Sequence, residues 1–168
     1  MRTYKNPILY ADYSDPDVVR VGEDYYMVSS SFTYIPGVPL LHSRDLVHWE
    51  LINHCVKKLP FEKYALPCHG SGTWAPSIRY HEGTFFVFIP LVDEGILVAR
   101  SKDPYGEFEW NMLCESKGWI DPCPFWMMTA GLTWSLPMQE PLRYKTPAVA
   151  GGNRSSVPLP SDRAQAYI

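Results

Sequence analysis

Two stretches of the sequence, sixty residues apart, follow the same pattern of residue types. Residues 15–28 read Asp-Pro-Asp-Val-Val-Arg-Val-Gly-Glu-Asp-Tyr-Tyr-Met-Val, and residues 75–88 read Ala-Pro-Ser-Ile-Arg-Tyr-His-Glu-Gly-Thr-Phe-Phe-Val-Phe. Each has an x-Pro start, a short strand-forming run, a polar turn and an aromatic run, which is typical of a β-hairpin. A repeated hairpin restricts the chain to a repeat architecture built from antiparallel sheets.

A second motif recurs downstream of each hairpin. Residues 43–49 place a Ser, a basic residue and an Asp before Trp49, and residues 101–110 do the same before Trp110. A repeat unit of four short strands is typical of a β-propeller blade. We therefore predict an all-β chain with two blades over residues 15 to about 120, and a third that opens at Asp121-Pro122. A propeller needs at least four blades, so a closed ring requires more chain than this.

Composition excludes several classes of protein. The 168 residues include 16 Pro and 11 Gly, which argues against long helices. The hydrophobic share of 46% excludes a disordered polymer, and the net charge of −3 gives no reason to expect a nucleic-acid partner. No apolar run is long enough to span a membrane. Residues 1–7 lack the apolar core of a signal peptide, so we expect a cytoplasmic location.

The four cysteines show no metal-site or disulfide signature. None lies in a Cys-x-x-Cys pair, so we expect reduced thiols. A zinc site that uses His54, His69 or His81 stays open, but the spacing supports no specific ligand set.

Two aspartates begin equivalent repeat units. If each blade begins with its innermost strand, Asp15 and Asp121 both face one central pocket. Two carboxyl groups in a cleft are what glycoside hydrolysis requires, one ionised to activate water and another protonated to assist the leaving group. The alternative is structural, because Asp-Pro also opens ordinary turns.

Two aromatic residues are candidates for sugar contacts. Phe32 follows a run of three serines, and Trp74 lies in Gly-Thr-Trp-Ala-Pro. Aromatic faces can stack on the apolar face of a sugar ring, although both side chains could equally belong to the core. His69 precedes a glycine-rich approach to Trp74, and its role stays open.

An ordered set of short motifs in residues 4–126 resembles glycoside hydrolase family 43, which includes β-xylosidases and α-L-arabinofuranosidases. The motifs that carry the resemblance are Asn6-Pro7-Ile8-Leu9, Tyr13-Ser14-Asp15-Pro16-Asp17, Tyr25-Tyr26, Ser30-Ser31-Phe32, Pro36-Gly37, His42-Ser43-Arg44-Asp45-Leu46-Val47-His48-Trp49, Trp74-Ala75-Pro76-Ser77 and Ile120-Asp121-Pro122. Each motif is weak alone, and their order makes the set specific.

The resemblance implies a five-bladed β-propeller and hydrolysis of xylo- or arabino-oligosaccharides with inversion. It implies that Asp15 is the general base, that Asp121 orients the general acid and raises its pKa, and that Phe32 and Trp74 line the terminal-sugar subsite. The family's general acid is a Glu in a later blade, and no residue of this chain matches it. We expect no cofactor or metal here, because the family's calcium site would lie in the missing blades. The sequence does not distinguish xylosidase from arabinofuranosidase, nor does it indicate an oligomeric state.

Residues 127–168 differ in character from residues 1–126. The net charge changes from −5 in the first 126 residues to +2 in the last 42, and only 3 of the 24 aromatic residues lie in the second part. Back-translation of residues 126–134 in another frame permits Asp-Asp-Asp-Gly-Arg-Ala-Tyr-Leu, the turn and strand that the repeat requires. We therefore predict a non-homologous, frameshifted tail over 127–168. The rival interpretation is a natural extension or linker, which the Gly-, Ser- and Pro-rich residues 151–160 favour.

Three functional hypotheses follow. The first is a truncated glycosidase with weak or no activity. The second is a carbohydrate-binding propeller fragment that performs no chemistry. The third is a non-functional product of a damaged gene. A propeller fructosidase is a weaker enzyme alternative, because its usual Asn-Asp-Pro-Asn opening is replaced by Ser14-Asp15-Pro16-Asp17.

Overall fold

The computed structural model describes residues 3–115, 117–127 and 131–135, almost entirely as β-structure. The strands are β1 Asp17–Val21, β2 Asp24–Val28, β3 Gly37–Ser43, β4 Glu50–Val56, β5 Ser77–His81, β6 Thr84–Leu91, β7 Gly95–Ser101, β8 Glu109–Glu115, β9 Cys123–Met127 and β10 Gly131–Ser135. One 3-10 turn, Glu62–Tyr64, lies between β4 and β5. No helix in the described ranges is long and apolar enough to cross a membrane.

The strands form two complete antiparallel sheets and the first hairpin of a third. Strands β1-β2-β3-β4 pair in sequence order, and so do β5-β6-β7-β8, while β9 pairs with β10. We call these the first blade, the second blade and the third hairpin. The predicted all-β class, with two blades and the start of another, is confirmed. The third hairpin crosses the boundary predicted at residue 126, and residues 136–168 lie outside the described part, so that boundary stays a prediction.

The repeated turns close as the sequence predicts. Val21 pairs with Asp24, and His81 pairs with Thr84, so each hairpin has a two-residue turn. In the second, Glu82 and Gly83 both have positive φ, +46° and +79°. That pair of angles is typical of a type I′ turn, whose twist matches the flanking strands.

The Ser-basic-Asp motif forms a capped turn after the third strand of each blade. The Asp45 carboxylate accepts hydrogen bonds from the backbone N–H groups of His48 (2.8 Å) and Val47 (2.9 Å). These bonds, together with one that the carboxylate accepts from the His48 ring, lower the pKa of Asp45 well below its usual range. In the second blade the Asp103 carboxylate accepts from the backbone N–H of Tyr105 at 3.0 Å. The motif is therefore explained by turn structure.

The main hydrophobic core lies between the two blades. Apolar residues of β2, β3 and β4 pack against those of β5, β6 and β7. Its largest fully buried side chains are Val28, Val38, Leu40, Val56, Ile78, Val87, Ile89, Leu91 and Leu97. Burial of each contributes about 1.5–3 kcal/mol. The opposite face of the second blade carries a smaller cluster, in which Trp126 of β9 packs 5.1 Å from Phe86 between ring centroids.

Polar contacts join the innermost strands of successive blades. The Asp17 carboxylate on β1 accepts hydrogen bonds from the backbone N–H of Ile78 (3.0 Å) and from Arg79 Nη1 (2.6 Å) on β5. Arg79 Nε donates in turn to the carbonyl of Pro124 on β9 at 2.8 Å. The Ser77 hydroxyl donates to the carbonyl of Pro122. These contacts fix β1, β5 and β9 side by side.

We expect Asp17→Ala to lower the free energy of unfolding by about 2 kcal/mol, because it leaves a charged donor and a backbone N–H without their acceptor. Urea-induced unfolding of the full chain measures the loss. The control is Asp93→Ala, which removes a surface ion pair with Lys63 whose carboxylate is 62% exposed. That control should cost less than about 1 kcal/mol. Equal losses in the two variants would contradict the proposed importance of the Asp17 contacts.

Candidate active site

Asp15 lies in the segment that enters β1, and the end of β2 holds that segment in place. The backbone N–H of Ser30 donates to the carbonyl of Ser14 at 3.0 Å, and the hydroxyl of Ser29 donates to the same oxygen at 2.7 Å. The hydroxyl of Ser30 donates to Asp15 Oδ2 at 2.7 Å. Asp15 itself has a φ of +49°, a left-handed conformation that Asp tolerates better than most residues.

Asp121 occupies the same position relative to β9 that Asp15 occupies relative to β1. It lies two residues before the strand and also has a positive φ, +48°. Partial desolvation raises the pKa of Asp121, although the residue is exposed, and the nearby charge of Asp15 raises it further. The two carboxylates predicted to converge therefore lie within electrostatic reach of each other. Ala75 has the equivalent place in the second blade, so that blade adds no carboxylate there.

The two predicted aromatic residues also come together. The rings of Phe32 and Trp74 meet edge to face, with centroids 5.3 Å apart and planes at 87°. Both are half-buried rather than core residues. Trp74 Nε1 donates to the carbonyl of Gly70 at 3.2 Å, which orients the indole. Phe32 lies two residues after Ser30, whose hydroxyl bonds Asp15, so the residues that follow β2 connect the aromatic pair to that carboxylate.

A short backbone bridge holds the aromatic pair. Ser31 and Thr73 exchange backbone hydrogen bonds of 2.9 and 2.8 Å, and the Gly72 N–H donates to the Phe32 carbonyl at 3.0 Å. A Cβ on Gly72 would lie 1.8 Å from the Ser31 carbonyl oxygen. Only glycine allows this approach between the two segments. Sequence reasoning took Gly72 only as part of a flexible stretch, because a contact forty residues away leaves no local pattern.

A cleft of about 360 Å³ adjoins the entry segment, and Phe32, Ser30, His54 and His69 are among its lining residues. His69, whose role the sequence left open, is exposed, with Nδ1 at 3.4 Å from the Thr33 hydroxyl. Burial lowers the pKa of His54.

The side chains that the sequence left open as zinc ligands do not come together within the described residues. No group of three or more His, Cys, Asp or Glu side chains there is arranged to hold a metal ion. His54 and His69 line the cleft, whereas His81 stacks on Trp126 with centroids 4.5 Å apart. All four cysteines are free thiols. Glu140, which sequence reasoning did not nominate as an acid, lies outside the described part.

Comparison with known proteins gives a consistent family. A family model for glycosyl hydrolases family 43 matches residues 4–151. A non-reducing end alpha-L-arabinofuranosidase from Bacteroides ovatus is 40% identical over 127 residues, which cover 72% of this chain and 24% of that protein. A beta-xylosidase from Formosa agariphila is 39% identical over 132 residues, which cover 74% of this chain and 22% of the relative.

Solved structures agree with that family. A GH43 protein from Bacteroides ovatus superposes with a TM-score of 0.70 and 33% identity, covering 83% of this chain and 28% of that one. A GH43 protein from Bacillus licheniformis gives a TM-score of 0.68 and 32% identity, over 82% of this chain and 29% of that one. The chain thus spans about a quarter of the length of the curated relatives it matches.

We expect Asp15→Asn to lower the pKa of Asp121, because the substitution removes a negative charge that disfavours ionised Asp121. The pKa should stay above its ordinary value, since the partial desolvation remains. Titration of the ¹³C-labelled Asp121 carboxyl by NMR measures the change. The control is the exposed Asp12→Asn, which should leave the titration unchanged. If the Asp15 substitution leaves the midpoint unchanged too, the two carboxylates do not interact.

We expect Gly72→Ala to separate the Phe32 and Trp74 rings, because the added Cβ clashes with the Ser31 carbonyl. Nuclear Overhauser contacts between the two rings should disappear. Gly83→Ala is the matched control: its φ of +79° is costly for Ala, by about 1 kcal/mol, but its surroundings are open. That variant should lose stability and keep the ring contacts. Ring contacts that survive Gly72→Ala would show that the close approach is not needed.

Proposed function

The chain belongs to glycosyl hydrolases family 43, and from that membership we propose that it supplies the water-activating part of a glycosidase site. The observation that carries the proposal is the approach of two carboxylates, Asp15 and Asp121, from equivalent positions before two inner strands. Asp15 acts as the general base. Its carboxylate takes a proton from a water molecule as that water attacks the anomeric carbon of the sugar.

Asp121 acts on the general acid rather than on the water. A carboxylate close to a second carboxyl group raises the pKa of that group, because like charges disfavour its ionisation. A general acid must keep its proton until the leaving oxygen needs it. In an inverting site the base and the acid lie roughly 6.5–9.5 Å apart, leaving space for the water. In the family resemblance this role falls to a glutamic acid of a later blade, and no residue of this chain matches it.

The substrate is a pentose-bearing oligosaccharide, bound by its terminal sugar. The edge-to-face pair of Phe32 and Trp74 offers one aromatic face and one aromatic edge, and such rings stack against the apolar face of a sugar. The matched relatives include an alpha-L-arabinofuranosidase and a beta-xylosidase, which act on pentosides. We propose the same substrate class, with either sugar, for the protein that this chain represents.

Activity of the 168-residue chain depends on the leaving group. Without the general acid, a leaving oxygen of high pKa is not protonated, and the loss is on the order of 10² to 10⁴ in rate. A dinitrophenolate leaves without a proton and does not incur this loss. The chain should therefore cleave activated aryl glycosides better than it cleaves natural oligosaccharides.

A second candidate function is sugar binding without turnover. The aromatic pair stands within the described residues, whereas no general acid does. Saturable binding of xylose or arabinose by the chain, with no cleavage of any aryl glycoside, favours this alternative.

We expect Asp15→Asn to lower kcat for 2,4-dinitrophenyl β-xyloside by about 10²-fold or more, because the amide cannot accept the proton of water. Hydrolysis is followed by phenolate release, and 4-nitrophenyl α-L-arabinofuranoside tests the other sugar. Glu23→Gln is the control, since Glu23 is exposed in the turn between β1 and β2. Wild-type and Asp15→Asn chains that cleave these substrates equally would refute the role of Asp15 as base.

A further inference from the structure

Three consecutive serines follow β2, and each hydroxyl has a different acceptor. Ser29 donates to the backbone carbonyl of Ser14 at 2.7 Å, and Ser31 donates to the backbone carbonyl of Tyr34 at 3.0 Å. Ser30 alone donates to a side chain, Oδ2 of Asp15, at 2.7 Å. Two of the three hydroxyls therefore donate to backbone carbonyls, and the third donates to a carboxylate.

The Ser30 hydroxyl is not needed to hold the segment that enters β1 against the end of β2. The backbone N–H of Ser30 already bonds the Ser14 carbonyl, and the Ser29 hydroxyl bonds the same oxygen. Ser30 is nevertheless buried, with 6% exposure, while Asp15 is exposed. A buried donor holds one rotamer, and it confines the carboxylate that it bonds.

We propose that Ser30 is a positioning residue for Asp15: its hydroxyl holds Oδ2 so that Oδ1 is presented to the attacking water. The inference rests on the proposed function, in which Asp15 is the general base. Within the described residues no hydrogen bond is made to Oδ1, so that oxygen is available to a water molecule. Hydrogen bonds to an ionised carboxylate are short and strong, which suits this restraining role.

The geometry explains why an exposed aspartate needs such a restraint. Asp15 has no ion pair with a Lys, Arg or His in the described residues, so nothing else there fixes the orientation of its carboxylate. Misplacement of a reacting group by about 1 Å can cost on the order of 10²-fold in rate. Ser30 restrains the carboxylate without neutralising it, which leaves it able to accept a proton.

The pKa of Asp121 reports where the Asp15 charge is held, and it can be measured whether or not the chain cleaves a substrate. It is measured by ¹³C NMR on the full chain for Ser30→Ala, Ser30→Thr, Ser29→Ala and Ser31→Ala. In Ser30→Ala the freed carboxylate turns towards solvent, and the pKa of Asp121 should fall, by less than it falls in Asp15→Asn. Ser30→Thr, which keeps the hydroxyl, should restore the wild-type value. The two neighbouring variants should leave it unchanged.

Cleavage of 2,4-dinitrophenyl β-xyloside gives the second readout. Ser30→Ala should lower kcat by roughly ten-fold with little change in KM, because the substrate contacts are untouched. An Asp121 titration that is unchanged or raised in Ser30→Ala, or that moves equally in Ser29→Ala, overturns the positioning role. A chain that cleaves nothing but shows the expected titration pattern overturns the proposed catalysis and leaves Ser30 as the residue that positions Asp15.

Discussion

The arrangement of this chain depends on one guanidinium group. Arg79 on β5 donates to the Asp17 carboxylate of β1 on one side and to the Pro124 carbonyl of β9 on the other. Sheets of a propeller meet mainly through apolar faces, and apolar contacts alone do not determine how far one sheet slides along the next. Directional hydrogen bonds from a half-buried cation do determine it. Through them, the starts of three inner strands are held at one level.

That alignment accounts for the site. Asp15 precedes β1 by two residues, and Asp121 precedes β9 by two residues, so level strands bring the two side chains to one place. Both aspartates adopt a left-handed backbone conformation, although each precedes a proline, which ordinarily favours an extended conformation at the residue before it. The partial desolvation and the neighbouring charge that raise the pKa of Asp121 are consequences of this geometry. Ser30 bonds Asp15, and Phe32 follows Ser30 by two residues, so the residues after β2 connect the charged and aromatic parts of the site.

The periodic features of the fold could be predicted from sequence, and the long-range contacts could not. Hairpins, blade number and the two aspartates all follow from residues that recur at matching positions. The Ser-basic-Asp motif also recurs, but its role as a capped turn was not predicted. Phe32 and Trp74 were each predicted as candidates for sugar contacts, but their edge-to-face contact with each other was not predicted. Gly72 and Ser30 were missed, because each acts on a segment fifteen to forty residues away and has no repeated counterpart. The roles of Arg79 and Asp17 were also missed, because their contact joins two blades and can be recognised only once the blades are placed side by side.

The electrostatics of the described part also determine what a third carboxyl group would experience there. Asp15 and Asp121 place up to two negative charges in a partly desolvated region, and among the described residues no cation bonds either carboxylate. A carboxyl group that approaches such a pair holds its proton more tightly than it does in water, since its ionisation would add another like charge. In the proposed mechanism a general acid therefore needs no special environment of its own. The pair of aspartates would supply that environment, and the acid would only have to be brought within reach of the leaving oxygen.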